Sequence, residues 1–140
     1  MTVTFTPYLY FDGQAEAALR YYAEVFGATD LTLMPYHEAP EPEGLPKSDH
    51  IMYGHIMLGD ACLMASDVMP GTKAGPQQAV AINFPVETVE EGQHLFDRLC
   101  EGGAVTMPYG PVFYSKAFGM VKDRFGTHWM IGVPPEEPDA

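Results

Sequence analysis

A stretch near the end of the chain, Phe118 to Ile131 (FGMVKDRFGTHWMI), has an earlier twin, and that duplication limits the possible folds more than any other feature. In the later copy Phe118, Met120 and Lys122 alternate with Gly119, Val121 and Asp123. Arg124-Phe125-Gly126 then turns the chain, and His128 to Ile131 runs back. Period-two alternation around a glycine-containing loop is the signature of a β-hairpin. The earlier copy, Tyr53 to Met64 (YGHIMLGDACLM), has the same order of aromatic, glycine, apolar pair, turn and returning strand. Placing Gly54 on Gly119 brings Met64 to within one residue of Met130. A second echo precedes each hairpin: LTLMPY at Leu31 to Tyr36 and AVTMPY at Ala104 to Tyr109.

The rest of the chain fits one unit used twice. Thr4 to Phe11 is a strand candidate, with Pro7 suited to an edge. Gln14 to Phe26 has apolar residues at helical spacing and Gly27 in the position that ends a helix. Thr29 to Tyr36 returns to strand character, and the Pro- and Glu-rich stretch His37 to Asp49 reads as a surface loop. After the first hairpin, residues 68–76, with prolines and glycines, form a joint. Gln78 to Phe84 is then a strand, and Val86 to Cys100 a helix whose inner stripe is Val89, His94, Leu95 and Leu99. Gly102-Gly103 stops that helix, Ala104 to Tyr109 is a strand, and an acidic, Pro-rich tail follows Pro134. The expectation is a single α+β domain over residues 1–140, built of βαβββ repeats 3–67 and 77–134. Two copies are too few to stack as a solenoid. They suit a pseudo-twofold arrangement, a curved mixed sheet around a cup-shaped cavity, and such a concave face commonly takes a ligand.

Composition narrows the partners. At 140 residues and 46% hydrophobic, the chain can bury a real core. Its formal net charge of −12, from 19 acidic against 7 basic residues, argues against nucleic acid and anionic membranes, which need a positive surface. No apolar run approaches a membrane span and no basic, apolar leader opens the chain, so a cytoplasmic location is expected. Cys62 and Cys100 lack CxxC spacing and read as buried free thiols.

The βαβββ duplication resembles the vicinal oxygen chelate superfamily, which includes glyoxalase I, extradiol dioxygenases and the fosfomycin and bleomycin resistance proteins. Four stretches resemble its PhnB-like branch: PYLYFDGQAEAALRYYAEVFGA, LMASD at Leu63 to Asp67, EGQHLFDRL at Glu91 to Leu99, and FGMVKDRFGTHWMIGV. Many proteins of that branch are labelled "3-demethylubiquinone-9 3-methyltransferase" through a domain name. The resemblance implies the glyoxalase/bleomycin resistance fold and a homodimer. It does not extend to the label, because no Gly-rich nucleotide loop follows a strand.

Metal-dependent relatives place His, Glu or Gln side chains from four strands in the cup. Carried across, the first position falls on Pro7, the second on Met64, the fourth on Met130, and the third on the strand holding Ala79, Ala81 and Asn83. A one-residue slip offers Tyr8 at the first. Thioethers and alkyl side chains are poor donors to the hard or borderline ions of such sites, so neither a metal site nor a cofactor is expected.

The histidines differ in promise. His37 and His50 read as solvated loop residues, and His94 as a buried ring on its helix. If Met64 and Met130 face the cup, alternation puts Cys62, Ser66 and His128 there too, and the repeat places Tyr53, His55 and Met57 in register with Phe118, Met120 and Lys122. Typical PhnB-like proteins carry His and Arg where this chain has Tyr53 and Met57. Asp67 and Asp123, each beside a turn, read as caps of backbone N–H groups, and Trp129 as packing beneath the helices. The leading reading is a metal-free protein holding a small organic molecule among Phe11, Tyr53, Met57, Met64, Phe118, Met120, Lys122 and Met130. The alternative is a metal-independent lyase or isomerase using His55 or His128 as general base. A divalent-metal lyase or dioxygenase with relocated ligands stands third.

Overall fold

The computed structural model describes residues 3–39 and 48–135. Most of the expected Pro- and Glu-rich loop (residues 40–47) and the end of the tail (136–140) lie outside the described residues. The chain divides into two compact units, residues 1–75 and 76–140. The first contains β1 (Tyr8–Phe11), α1 (Ala15–Phe26), β2 (Thr29–Pro35), β3 (Ile51–Leu58) and β4 (Ala61–Asp67). The second contains β5 (Ile82–Pro85), α2 (Val89–Cys100), β6 (Ala104–Val112), β7 (Ser115–Lys122) and β8 (His128–Gly132). Each unit forms a four-stranded mixed sheet, in the orders β1-β4-β3-β2 and β5-β8-β7-β6. In each, the first strand lies parallel to the fourth and the other neighbours are antiparallel.

One helix backs each sheet: α1 lies against β3, β2 and β4, and α2 against β7, β8 and β6. The paired glycines of the sequence echo sit where these helices cross. A Cβ on Gly54 would come within 2.7 Å of Leu19 Cδ1, and one on Gly119 within 2.8 Å of a Phe96 ring carbon. Both positions therefore need glycine for close approach, and the duplicated hairpin is recognisable partly for that reason. The cores are helix against sheet, with Leu19, Tyr22 and Ile56 buried in the first unit and Leu99, Val121, Trp129 and Ile131 in the second. Each such large apolar side chain contributes about 1.5–3 kcal/mol when fully buried.

One aspartate ties each unit together as a turn cap, Asp67 in the first and Asp123 in the second. Asp67 Oδ1 accepts from the N–H groups of Gly13 (2.8 Å) and Ala15 (3.0 Å), and Oδ2 from Ile51 N–H at 2.8 Å. It thus supplies the N-terminal cap that Gln14 does not. Asp123 Oδ1 accepts from Phe125 and Thr127, and Oδ2 from the Trp129 indole N–H at 2.8 Å. Neither carboxylate is left for chemistry.

Several element boundaries and side-chain placements differ from expectation. β1 starts at Tyr8 rather than Thr4: Pro7 has no N–H for a ladder, and only its carbonyl pairs, accepting from Met64 N–H at 3.0 Å. β5 is confined to Ile82–Pro85 because the chain before it includes Ala79 at φ 59°, outside strand geometry. α2 starts at Val89, not Val86, where Thr88 Oγ1 accepts from Glu91 N–H at 3.1 Å. His94 is exposed and Phe96 occupies the inner stripe instead, since the buried positions Gly92, Leu95, Phe96 and Leu99 follow the helical period one residue away from the predicted His94. His50 is half-buried rather than solvated, and its Nδ1 is buried with no hydrogen-bond partner in the described structure.

Candidate functional site

Strand register decides which side chains share the face that each sheet turns away from its helix. In the first unit His55 pairs with Met64 and with Thr32, Tyr53 with Met34, and Met57 with Cys62. Tyr8 pairs with Met64 and Tyr10 with Ser66. Because directly paired residues project to the same side, the helix-free face gathers Tyr8, Tyr10, Tyr53, His55, Met57 and Met64. Tyr53 and His55 are joined by a hydrogen bond of 2.8 Å between the phenol oxygen and Nδ1, with their rings edge-on at 74°. Tyr8 and Tyr10 also contact each other, ring centroids 5.1 Å apart.

Phe11 does not join this group. It pairs with Asp67, one residue out of phase with Tyr8 and Tyr10, and is 4% exposed in the core beneath the sheet. The two tyrosines on its strand stand on the helix-free face. The alternation of Tyr8-Leu9-Tyr10-Phe11 carried that signal, but its phase was set by the parallel pairing with β4, which no sequence pattern specifies.

In the second unit Met120 pairs with Met130, Lys122 with His128, Phe118 with Gly132 and Asn83 with Met130. Phe118, Met120, Lys122, His128 and Met130 thus share the helix-free face, while Val121, Trp129 and Ile131 are buried on the other. A cleft of about 360 Å³ opens at the Gly132 end, walled by Phe118, Met130, Tyr114, Val133 and Pro134 with Asn83 at its side. Tyr114 stacks edge-on to Phe118 at 5.8 Å. Ser115 Oγ bonds to the Val133 carbonyl at 2.5 Å, fixing the strand that forms one wall. The sequence reading did not place Tyr114, Ser115 or Asn83 beside Phe118 and Met130; for Asn83 the reason is that the register of β5 is set by its parallel pairing with β8.

His128 Nε2 lies 3.3 Å from the Gln77 carbonyl. A carbonyl only accepts, so in this contact Nε2 donates, and Nδ1 is the ring nitrogen left to accept. The two thiols are half-buried, and burial pushes both above the ordinary thiol value, aided at Cys100 by Asp97. Neither is poised as a thiolate nucleophile.

Register also sets the strand neighbours of Met64 and Met130. The parallel pair of the first unit sets Tyr8, not Pro7, beside Met64, and that of the second sets Asn83 beside Met130. Neither pair, a phenol beside a thioether in the first unit or an amide beside a thioether in the second, offers the imidazole or carboxylate that a hard or borderline ion asks for. No cluster of three or more His, Cys, Asp or Glu side chains suited to an ion occurs among the described residues.

Two βαβββ units, each a four-stranded mixed sheet backed by one helix, define the glyoxalase/bleomycin resistance/dioxygenase class of fold. Solved domains of that class share it with this chain at identities too low to speak of more than the fold. The chain belongs to the family described as 3-demethylubiquinone-9 3-methyltransferase, whose profile matches residues 3–132, the PhnB-like branch of the vicinal oxygen chelate superfamily. It is 32% identical over 143 residues to the protein YjdN of Escherichia coli, covering 95% of this chain and 97% of that one. Among solved structures it is similar to protein PA1353 from Pseudomonas aeruginosa, at 35% identity and a TM-score of 0.87, covering 96% of this chain and 100% of that one. It is also similar to the PhnB protein from Bacillus cereus, at 25% identity and a TM-score of 0.74, with 94% and 99% covered. No helix among the described residues is long and apolar enough to cross a membrane.

Proposed function

We propose that the chain binds a small organic molecule on the helix-free face of its second unit, without a metal. The observation that carries this reading is the cleft of about 360 Å³ between Tyr114, Phe118 and Met130. It combines what a small-molecule site needs: an aromatic and thioether wall that adapts to ligand shape, and a few polar groups, here Asn83 and Ser115, that orient the ligand. The Tyr53, His55, Met57 and Met64 face of the first unit offers a further surface of similar chemistry. The methyl transfer in the family's description has no support in this reading, since no glycine-rich loop follows a strand to hold a nucleotide-type donor.

The test is ligand-observed NMR against a library of neutral aromatic fragments, with wild type and Phe118→Ala compared. Fragments that bind wild type and lose at least half their saturation-transfer signal in Phe118→Ala support the reading. A library without hits, or hits indifferent to Phe118, would refute it.

A second reading is a metal-independent lyase or isomerase, and the Gln77 carbonyl favours it by leaving His128 Nδ1 as the base. Its check is deuterium uptake from heavy water into the α-carbon of a panel of keto and hydroxy-carbonyl compounds. Uptake lost in His128→Gln would establish it, and no uptake by wild type would end it.

A further inference from the structure

The four strands of the second unit, INFP, AVTMPYGPV, SKAFGMVK and HWMIG, contain no aspartate or glutamate. In a chain with 19 acidic against 7 basic residues, that is a local reversal of the overall charge. Among the described residues, the unit's carboxylates stand instead on and around α2, at Glu87, Glu90, Glu91, Asp97 and Glu101, or in the turn cap Asp123; Glu136, Glu137 and Asp139 follow in the tail. On the helix-free face the reversal has a direction. The aromatic cleft of Tyr114 and Phe118 lies at one end, Met120 and Met130 form the middle as a cross-strand pair, and Lys122 stands opposite His128 at the other end. Lys122 is exposed, and among the described residues it forms no ion pair with a carboxylate.

Resting on the binding reading above, we infer that the ligand class of this face is an aromatic anion, its flat apolar body against Phe118 and its acid group toward Lys122. Phe118 and Lys122 are four positions apart on one strand, about 13 Å at roughly 3.3 Å per residue, and the lysine stem can reach back along part of that distance. A bicyclic aromatic body with one acid substituent spans such a gap; a small aliphatic acid does not. A neutral aromatic compound would use the cleft and leave the lysine without a partner. Elsewhere the acidic surface repels anions, so any preference for one has to arise locally.

Two dyes with nearly the same rings separate these contributions: anilinonaphthalenesulfonate, an anion, and N-phenylnaphthylamine, which is neutral. Both brighten in apolar surroundings, so fluorescence titration gives an affinity for each. The expected result is tighter binding of the sulfonate, an advantage that shrinks in 0.5 M salt and falls about fivefold in Lys122→Gln while the neutral dye is unaffected. Phe118→Ala should weaken both. A Lys122→Gln protein whose sulfonate-to-neutral ratio equals that of wild type would overturn the inference and leave the cleft reading intact, as would equal affinities in wild type. Failure of both dyes to show any Phe118-dependent binding would remove the cleft reading and this inference with it.

Discussion

Asp123 and the chain's single tryptophan allow the turn-cap argument to be tested quantitatively. The carboxylate is 3% exposed and receives the N–H groups of Phe125 at 2.8 Å and Thr127 at 3.1 Å, and the Trp129 indole N–H at 2.8 Å. Replacing Asp123 by Asn preserves shape but supplies only one accepting oxygen. If that oxygen faces the turn, the amide NH₂ meets the indole N–H, donor against donor, 2% exposed and cut off from water. A buried donor without an acceptor costs about 1–3 kcal/mol, so Asp123→Asn should lose about 2–3 kcal/mol. Trp129→Phe removes the opposing donor, and in that background the same Asp→Asn change should cost about 1–2 kcal/mol less. The assay is a double-mutant cycle from urea unfolding followed by far-UV circular dichroism, with indole fluorescence added for the variants that keep Trp129. A coupling energy below about 0.5 kcal/mol would refute the reasoning.

Three further outcomes are expected. Gly92→Ala, which would ordinarily strengthen a helix by about 1 kcal/mol, should instead destabilise by about 1–3 kcal/mol, because the new Cβ overlaps the Tyr109 hydroxyl. Adding Tyr109→Phe should recover part of that loss in thermal denaturation, and no recovery would place the conflict elsewhere. Thr88→Ala should cost about 1 kcal/mol by removing the acceptor for Glu91 N–H, read as a lower urea midpoint at unchanged slope. Alkaline stability depends on phenols: burial, then Tyr8, Asp67 and Tyr10, raise the Tyr36 hydroxyl above 10.0, and burial with Glu90 raises Tyr109. The folded value exceeds the unfolded one, so this stability is complete below about pH 10 and is lost as pH climbs through the raised values. Urea midpoints of Tyr36→Phe and Tyr109→Phe should therefore decline less between pH 9 and 11 than wild type; parallel declines would contradict the assignment.

Sequence determined the repeated unit and its order of elements, because those rest on local chemistry. Gly54 and Gly119 mark the crossings of helix and sheet, Asp67 and Asp123 mark turns whose N–H groups need an acceptor, and Gly27 ends α1 at φ 70°. Period-two alternation also placed Phe118, Met120, Lys122, His128 and Met130 on one face, since a hairpin fixes its own register. Longer-range pairing was a different matter. Whether Pro7 or Tyr8 stands beside Met64, and whether Phe11 or Tyr10 shares its face, depends on a parallel pairing between strands more than fifty residues apart, with no turn between them to set the phase. His94 and Phe96 are both reasonable on an inner stripe until the sheet beneath α2 defines where the stripe points. The cleft by Tyr114, and the acid-free strands meeting at Lys122 and His128, exist only once β5, β7 and β8 lie side by side. Local rules wrote the elements of this protein; the register between distant strands decided which of their side chains share a face.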